Sequence, residues 1–304
     1  MSTMNKGVYP IAPVPFNEDE TLDLEGMKRV LDCMIDQGVD GITILANYSE
    51  QFLLSDAERD TLTKLSLEHV AGRVPVIATC SHYSTNIVLQ RIRQAKDLGA
   101  SMIMLMPPYH GALLRGIEAQ TYEQFSQAAD IGLPIMIQDA PLSGVPLSVA
   151  ALEKMVRGIA GVTHLKIETP QTADKLASVL AVAADAIDGP FDGEESITLL
   201  ADLEAGATGT MPSASIPDLI KPVVDNYLSG DHKAAADQYN RILPFINYEN
   251  RQCGLRACKA LMKVGGVIGS DCVRHPLEAL PNRTLDGLLT IARELDPLAI
   301  KWGL

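Results

Sequence analysis

Short apolar runs recur along the chain, each followed by a polar turn and then by a stretch with apolar positions at helical spacing. The runs cover residues 7–14, 41–45, 74–78, 102–106, 134–138, 162–167, 186–191 and 207–211. Their starts lie roughly 20 to 35 residues apart, the length of a strand–helix unit with tight loops. The runs are continuously apolar and do not alternate, which predicts parallel strands buried on both faces. In the first intervening stretch Met27, Val30, Leu31, Met34 and Ile35 form one stripe, and Gly38 follows as a helix stop. The second stretch opens at Ser55 with Glu58 three residues on, a capping-box pattern. Residues 84–98 and 172–184 read the same way.

Eight such units in series predict an α/β fold, a (β/α)8 TIM barrel. A doubly wound sheet is the alternative, but no GxGxxG follows the first run and no GxxxxGK[ST] occurs. Helical periodicity continues after the eighth run, through 217–229, 232–245, 247–264 and 276–295. One closing helix does not need so much chain. The reading is a barrel over 1–225 and a C-terminal helical extension over 226–304, packed on it as a single structural unit.

Composition narrows the function. With 47% hydrophobic and 21% charged residues the chain is too apolar to be disordered. A net charge of −13 disfavours phosphate backbones and anionic lipid, so neither nucleic acid nor a membrane is an expected partner. Cys33, Cys80, Cys253, Cys258 and Cys272 are scattered and form no CxxC pair, which argues against a disulfide framework or a zinc site. No run reaches membrane-spanning length and the start lacks a signal-peptide pattern, so a cytoplasmic location is expected. No HxH or HExxH spacing marks a metal site.

In such a barrel the chemistry belongs to the C-terminal ends of the strands. Lys166 ends the sixth run. Burial there favours a neutral amine of lowered pKa, able to condense with a ketone. The alternative is a lysine that snorkels to solvent or pairs with Glu168. Glu168 lies two residues on, hence on the same side of an extended strand, and reads either as a general acid/base or as an ion-pair partner. Glu194 and Glu195 follow the seventh run. They read as contacts to a distal substrate hydroxyl or as acids favoured at a helix start. Cys80 reads as a reactive thiol or, more simply, as a small apolar filler.

These residues, with Pro107-Pro108-Tyr109 and Gly206-Ala207-Thr208-Gly209, resemble the dihydrodipicolinate synthase / N-acetylneuraminate lyase superfamily over nearly the whole chain. The resemblance implies a Schiff-base lysine at Lys166, a small-molecule 2-keto acid substrate, no external cofactor and a homotetramer. The departures from the family pattern are informative. The family's Gly-Thr-Thr-Gly-Glu is Ala46-Asn47-Tyr48-Ser49-Glu50 here, the tyrosine that ends strand five is Gln138, and the second tyrosine of Pro-Tyr-Tyr is His110. Asn47, Tyr48, Ser49, Gln138, His110 and Glu195 are therefore the expected substrate-binding residues, with Tyr48 and Ser49 on the carboxylate.

Retro-aldol cleavage needs a base for the C4 hydroxyl, and an amide has no accessible proton-transfer equilibrium. With glutamine in place of that phenol and a carboxylate at Glu168, dehydration is favoured over C–C cleavage. The variant strings, including Asn250-Arg251-Gln252, resemble the dehydratase branch that converts a five-carbon 2-keto-3-deoxy sugar acid to 2-oxoglutarate semialdehyde. A retro-aldol lyase releasing pyruvate and a non-catalytic sugar-acid-binding protein are the competing readings.

Overall fold

The computed structural model describes residues 4–110, 114, 115, 117–140, 144 and 147–304; the side chains of 109, 110, 114 and 115 are outside that description. Eight parallel strands form the central sheet: β1 (Gly7–Val8), β2 (Ile42–Ile44), β3 (Val76–Thr79), β4 (Met102–Leu105), β7 (Ile135–Asp139), β8 (Val162–Ile167), β9 (Gly189–Asp192) and β10 (Gly209–Thr210). Their order is β1-β10-β9-β8-β7-β4-β3-β2. Ile11 closes the ring, bridging in parallel to Thr43 on one side and to Ser213 on the other. The small antiparallel hairpin of β5 (Tyr109–His110) and β6 (Leu114–Arg115) sits in the loop after β4.

Each predicted apolar run carries one barrel strand. The first is much shorter than its run, because Pro10 and Pro13 remove ladder donors. The chain still pairs onward in single bonds, Ala12 N to the Thr43 carbonyl at 2.8 Å and Thr43 N to the Pro10 carbonyl at 2.9 Å.

The helices form where the apolar stripes predict them. In α1 (Leu24–Asp36) Met27, Val30, Leu31 and Met34 are buried, and Gly38 follows at φ 77°. The box at α2 (Asp56–Val70) is reciprocal: Glu58 N reaches Ser55 Oγ at 3.3 Å, and Ser55 N reaches Glu58 Oε2 at 2.9 Å. The remaining barrel helices are α3 (Thr85–Asp97), α4 (Glu118–Ala129), α5 (Val149–Gly158), α6 (Thr172–Ala183), α7 (Leu199–Glu204) and α8 (Pro217–Leu228). The last of these, α8, runs past residue 225 to Leu228.

The extension comprises α9 (His232–Tyr248), a π-helical turn (Glu249–Cys253), α10 (Arg256–Val264) and α11 (Asn282–Leu295). It is bolted to the barrel by polar bonds as well as apolar packing. Lys259, fully buried, pairs with buried Glu50 just after β2 and also donates to the Cys272 carbonyl at 2.9 Å. Arg274 pairs with Glu58 at 2.5 Å, and Trp302 Nε1 donates to Asp36 at 2.7 Å.

Two apolar clusters result. The larger fills the space between strands and helices. The smaller lies inside the ring and includes Tyr9, Ile77, Met104, Met136, Phe191 and Met211. This cluster fills the barrel interior with apolar side chains. Among the described residues no helix is long and apolar enough to cross a membrane.

Candidate active site

Register places the first pair of functional groups. β7 and β8 align Gln138 with Lys166, so the two side chains leave adjacent strands at the same level. The chain continues extended past β8, with Glu168 N on the Asp139 carbonyl at 2.9 Å, and this carries Glu168 onto the same side as Lys166. One carboxylate oxygen then gathers two donors. Glu168 Oε2 accepts from Lys166 Nζ at 2.7 Å and from Gln138 Nε2 at 2.7 Å. A carboxylate can only accept, which fixes the Gln138 amide with its oxygen turned away. Gln138 Oε1 is buried without a partner among the described residues. Gly193 makes room for this arrangement, since a Cβ there would stand 2.8 Å from Cγ of Lys166.

Lys166 is 2% exposed. Burial by itself lowers its pKa, but Glu168, Glu195 and Asp192 more than offset that, and the net direction is upward. The expectation of an amine neutralised by burial is thus corrected. At rest this is an ammonium held by carboxylates.

The second acidic group comes from the turn after β9. Asp192, fully buried, accepts from Glu194 N at 2.9 Å, Ser196 N at 3.1 Å and Thr210 Oγ1 at 2.6 Å. These bonds hold two consecutive non-glycine residues, Glu195 (φ 49°) and Ser196 (φ 67°), in the left-handed region. Such strain persists where the surroundings over-determine it, often at functional sites. The Glu195 carboxyl is raised well above the usual carboxylate range, chiefly by burial; Lys166 opposes the rise while Glu168, Asp192 and Glu249 add to it. Burial also raises Glu194, more modestly.

The loop after β2 supplies the third group, and here two expected roles change. Ser49 Oγ donates to the Ala12 carbonyl at 2.7 Å and accepts from Ala46 N at 3.2 Å, so its hydroxyl is spent on holding the turn. Tyr48 donates its phenol proton to Asn250 Oδ1 at 3.0 Å. Neither hydroxyl has a proton left for a carboxylate. Asn47 keeps one: its Oδ1 accepts from Gln51 Nε2 at 2.7 Å, while its Nδ2 is buried without a partner among the described residues. The His110 and Tyr109 side chains lie outside the described residues. Cys80 is buried and its thiol is pushed up to about 12 by burial, as suits an apolar filler.

Sequence reasoning missed Glu249 and the two serines it meets, and gave Asp192 no role of its own. Glu249 heads the π-helical turn and accepts from Ser213 Oγ at 2.7 Å and Ser215 Oγ at 2.5 Å. Burial raises its pKa to about 7. Asp192 stands at a strand end, where the barrel rule already points. No local signal marks Glu249, because its relation to the mouth exists only once the extension has folded back.

The family profile described as "Dihydrodipicolinate synthetase family" matches residues 4–294. The chain belongs to this family. It is 52% identical over 300 residues to the L-2-keto-3-deoxyarabonate dehydratase of Azospirillum brasilense, covering 98% of this chain and 97% of that protein. It is 29% identical over 308 residues to the 4-hydroxy-tetrahydrodipicolinate synthase of Xanthomonas campestris pv. campestris, with 96% of each covered. In structure it matches the 4-hydroxy-tetrahydrodipicolinate synthase of Methylacidiphilum fumariolicum SolV with a TM-score of 0.88 at 23% identity, over 97% of each chain. This family member is a lyase-type enzyme with a TIM barrel and a C-terminal helical extension.

Proposed function

We propose that this family member is a Schiff-base dehydratase that converts L-2-keto-3-deoxyarabonate to 2-oxoglutarate semialdehyde and water. The observation that carries the reading is the triad of buried Lys166, buried Gln138 and part-buried Glu168, joined at one carboxylate oxygen. The 52% identity to a dehydratase of that substrate supports it.

The cycle begins when the ammonium proton of Lys166 passes to Glu168 and the freed amine adds to the C2 ketone. Glu168 returns that proton to the carbinolamine hydroxyl, which leaves as water, and the iminium forms. The carboxylate, now free, removes a C3 proton to give the enamine. The enamine pushes out the C4 hydroxyl, protonated as it departs, and an unsaturated iminium remains. Loss of a C5 proton and return of one at C3 give a C4–C5 enol, whose hydroxyl proton is lost as C4 gains one to give the aldehyde, and hydrolysis frees Lys166. Overall one water is lost.

Glu195 is kept protonated more readily than an ordinary carboxyl, which suits it to donate to a substrate hydroxyl. Gln138 Oε1 offers an acceptor and Asn47 Nδ2 a donor for the substrate's oxygens. The lysine is itself the electron sink, so the scheme needs no external cofactor.

Borohydride reduction in the presence of the five-carbon keto acid tests the covalent step. We expect a mass gain at Lys166 and none in Lys166→Ala, which should also be inactive. No gain in the native enzyme would leave a binding protein only.

The homotetramer implied by the family resemblance belongs to this proposal. Phe52, Tyr83 and Ile117 are 64%, 43% and 62% exposed on connections that follow β2, β3 and the hairpin, apolar surface that another copy would cover. Sedimentation at micromolar concentration should give a tetramer mass; a monomer would refute it.

A further inference from the structure

The turn after β9 carries two neighbouring residues, Glu195 and Ser196, in left-handed backbone at φ 49° and 67°. Side chains with a Cβ resist that region, so the pair needs holding. Asp192 supplies part of the hold through the amides of Glu194 and Ser196. Ser196 Oγ also shares a hydrogen bond of 2.8 Å with Thr210 Oγ1, which donates to Asp192. The turn leans on the strand of the lysine. Gly193 N donates to the Ile167 carbonyl at 2.8 Å, and a Cβ on Gly193 would stand 2.8 Å from Lys166 Cγ. Relaxation of the strained pair therefore moves Glu195 relative to Lys166.

The rest of the hold comes from the C-terminal extension. Tyr239 on α9 is buried, and its phenol oxygen lies 2.5 Å from the Ile197 carbonyl and 3.1 Å from the Ser196 carbonyl. A carbonyl can only accept, so the phenol donates to this pair. Burial first, then Asp192, keep the phenol un-ionised, and the donor is never lost. The Ser196 carbonyl belongs to the peptide plane that leaves the second strained residue. Fixing that plane fixes the ψ of Ser196.

We propose that Tyr239 is a positioning residue for Glu195: by pinning the carbonyls of Ser196 and Ile197 it holds the left-handed pair in the conformation in which Glu195 meets the substrate hydroxyl. The proposal rests on the reading of Glu195 given above. It gives α9 a part in the dehydration step that its place outside the barrel does not suggest.

Two measurements are made on each variant: turnover of 2-keto-3-deoxyarabonate, and borohydride trapping of pyruvate at Lys166. Pyruvate has the ketone and carboxylate and no hydroxyl, so its adduct reports a folded protein with a working lysine. Glu195→Ala should lose turnover and keep the pyruvate adduct. In Tyr239→Phe turnover should fall about tenfold, the loss of one neutral hydrogen bond from the working turn. Pyruvate trapping should stay within about twofold on the same grounds. Glycine adopts positive φ freely, so adding Ser196→Gly to Tyr239→Phe should restore most of the turnover. Adding Ser196→Ala should not, although it removes the same hydroxyl.

Native turnover in Tyr239→Phe would overturn the proposal. So would matching results from the glycine and alanine double variants, since the backbone would then not be what the phenol holds. A parallel loss of turnover and pyruvate adduct would also overturn it, by making Tyr239 a packing residue. Native turnover in Glu195→Ala would end the reading of Glu195 and this inference together, and it shows before any Tyr239 variant is compared.

Discussion

At the residue scale the site turns on where a few protons rest. Lys166 is an ammonium because Glu168, Glu195 and Asp192 outweigh the burial that would strip its proton. Its pKa is raised, so the neutral amine becomes available only as pH climbs. Trapping of pyruvate should accordingly speed up with rising pH. Glu168→Gln removes the nearest carboxylate and lowers the Lys166 pKa, so the same rise should move to lower pH; an unmoved profile would contradict the ion pair's role. That variant should still form the adduct yet turn over roughly a hundredfold more slowly if Glu168 is the C3 base. Unchanged turnover would reduce it to a charge partner.

The placement of Lys166 and Glu168 was legible in the sequence, because a strand end and a two-residue spacing are local facts. The protonation state was not. It depends on Asp192 and Glu195, which come from another strand and its strained turn. The hydrogen-bond partners of Tyr48 and Ser49 were hidden for a related reason. Residue type shows that a hydroxyl is present, whereas Asn250 and Ala12 decide where its proton points.

Among the elements, the π-helical turn at Glu249–Cys253 carries the clearest pH signature. Glu249 titrates near 7 in the folded protein and at an ordinary carboxylate value when unfolded. Between those values the folded state binds the extra proton, so its stability falls as pH rises through the window. A shift of that size amounts to roughly 3 kcal/mol above pH 7. Glu249→Gln keeps an acceptor for Ser213 and Ser215 and removes the buried charge. Its melting temperature should exceed the native value by several degrees at pH 8 and differ little at pH 5. An equal loss at both pH values would contradict this. Sequence periodicity found the helices on either side of the turn and read 247–264 as one stretch. The register change at Glu249 leaves no periodic trace, because it is set by the two serines it must reach.

The whole molecule was the easiest scale to read. Eight apolar runs with eight helical stretches admit few closed architectures, and the barrel followed. The docking of the extension was harder, since it depends on single long-range pairs. Lys259 and Glu50 are the best case: 209 positions apart, both buried, and meeting beside the loop that carries Tyr48. Lys259→Met removes the cation paired with Glu50, which keeps the Arg274 backbone N–H at 3.1 Å, and should cost about 3 kcal/mol in denaturant unfolding. The double variant with Glu50→Gln should recover much of it. Equal losses in the single and double variants would show that packing, not charge, governs this joint.

The central claim is that this barrel keeps the electron sink and eliminates water instead of splitting the carbon chain. Tyr48 does bring a phenol to the mouth, but its proton is committed to Asn250 and ionisation is suppressed, so it supplies no base for the C4 hydroxyl. The most direct measurement is product identification with pure enzyme and L-2-keto-3-deoxyarabonate, followed by mass spectrometry. The account predicts 2-oxoglutarate semialdehyde, one water lighter than the substrate, with its five carbons intact. Pyruvate as the main product would contradict it.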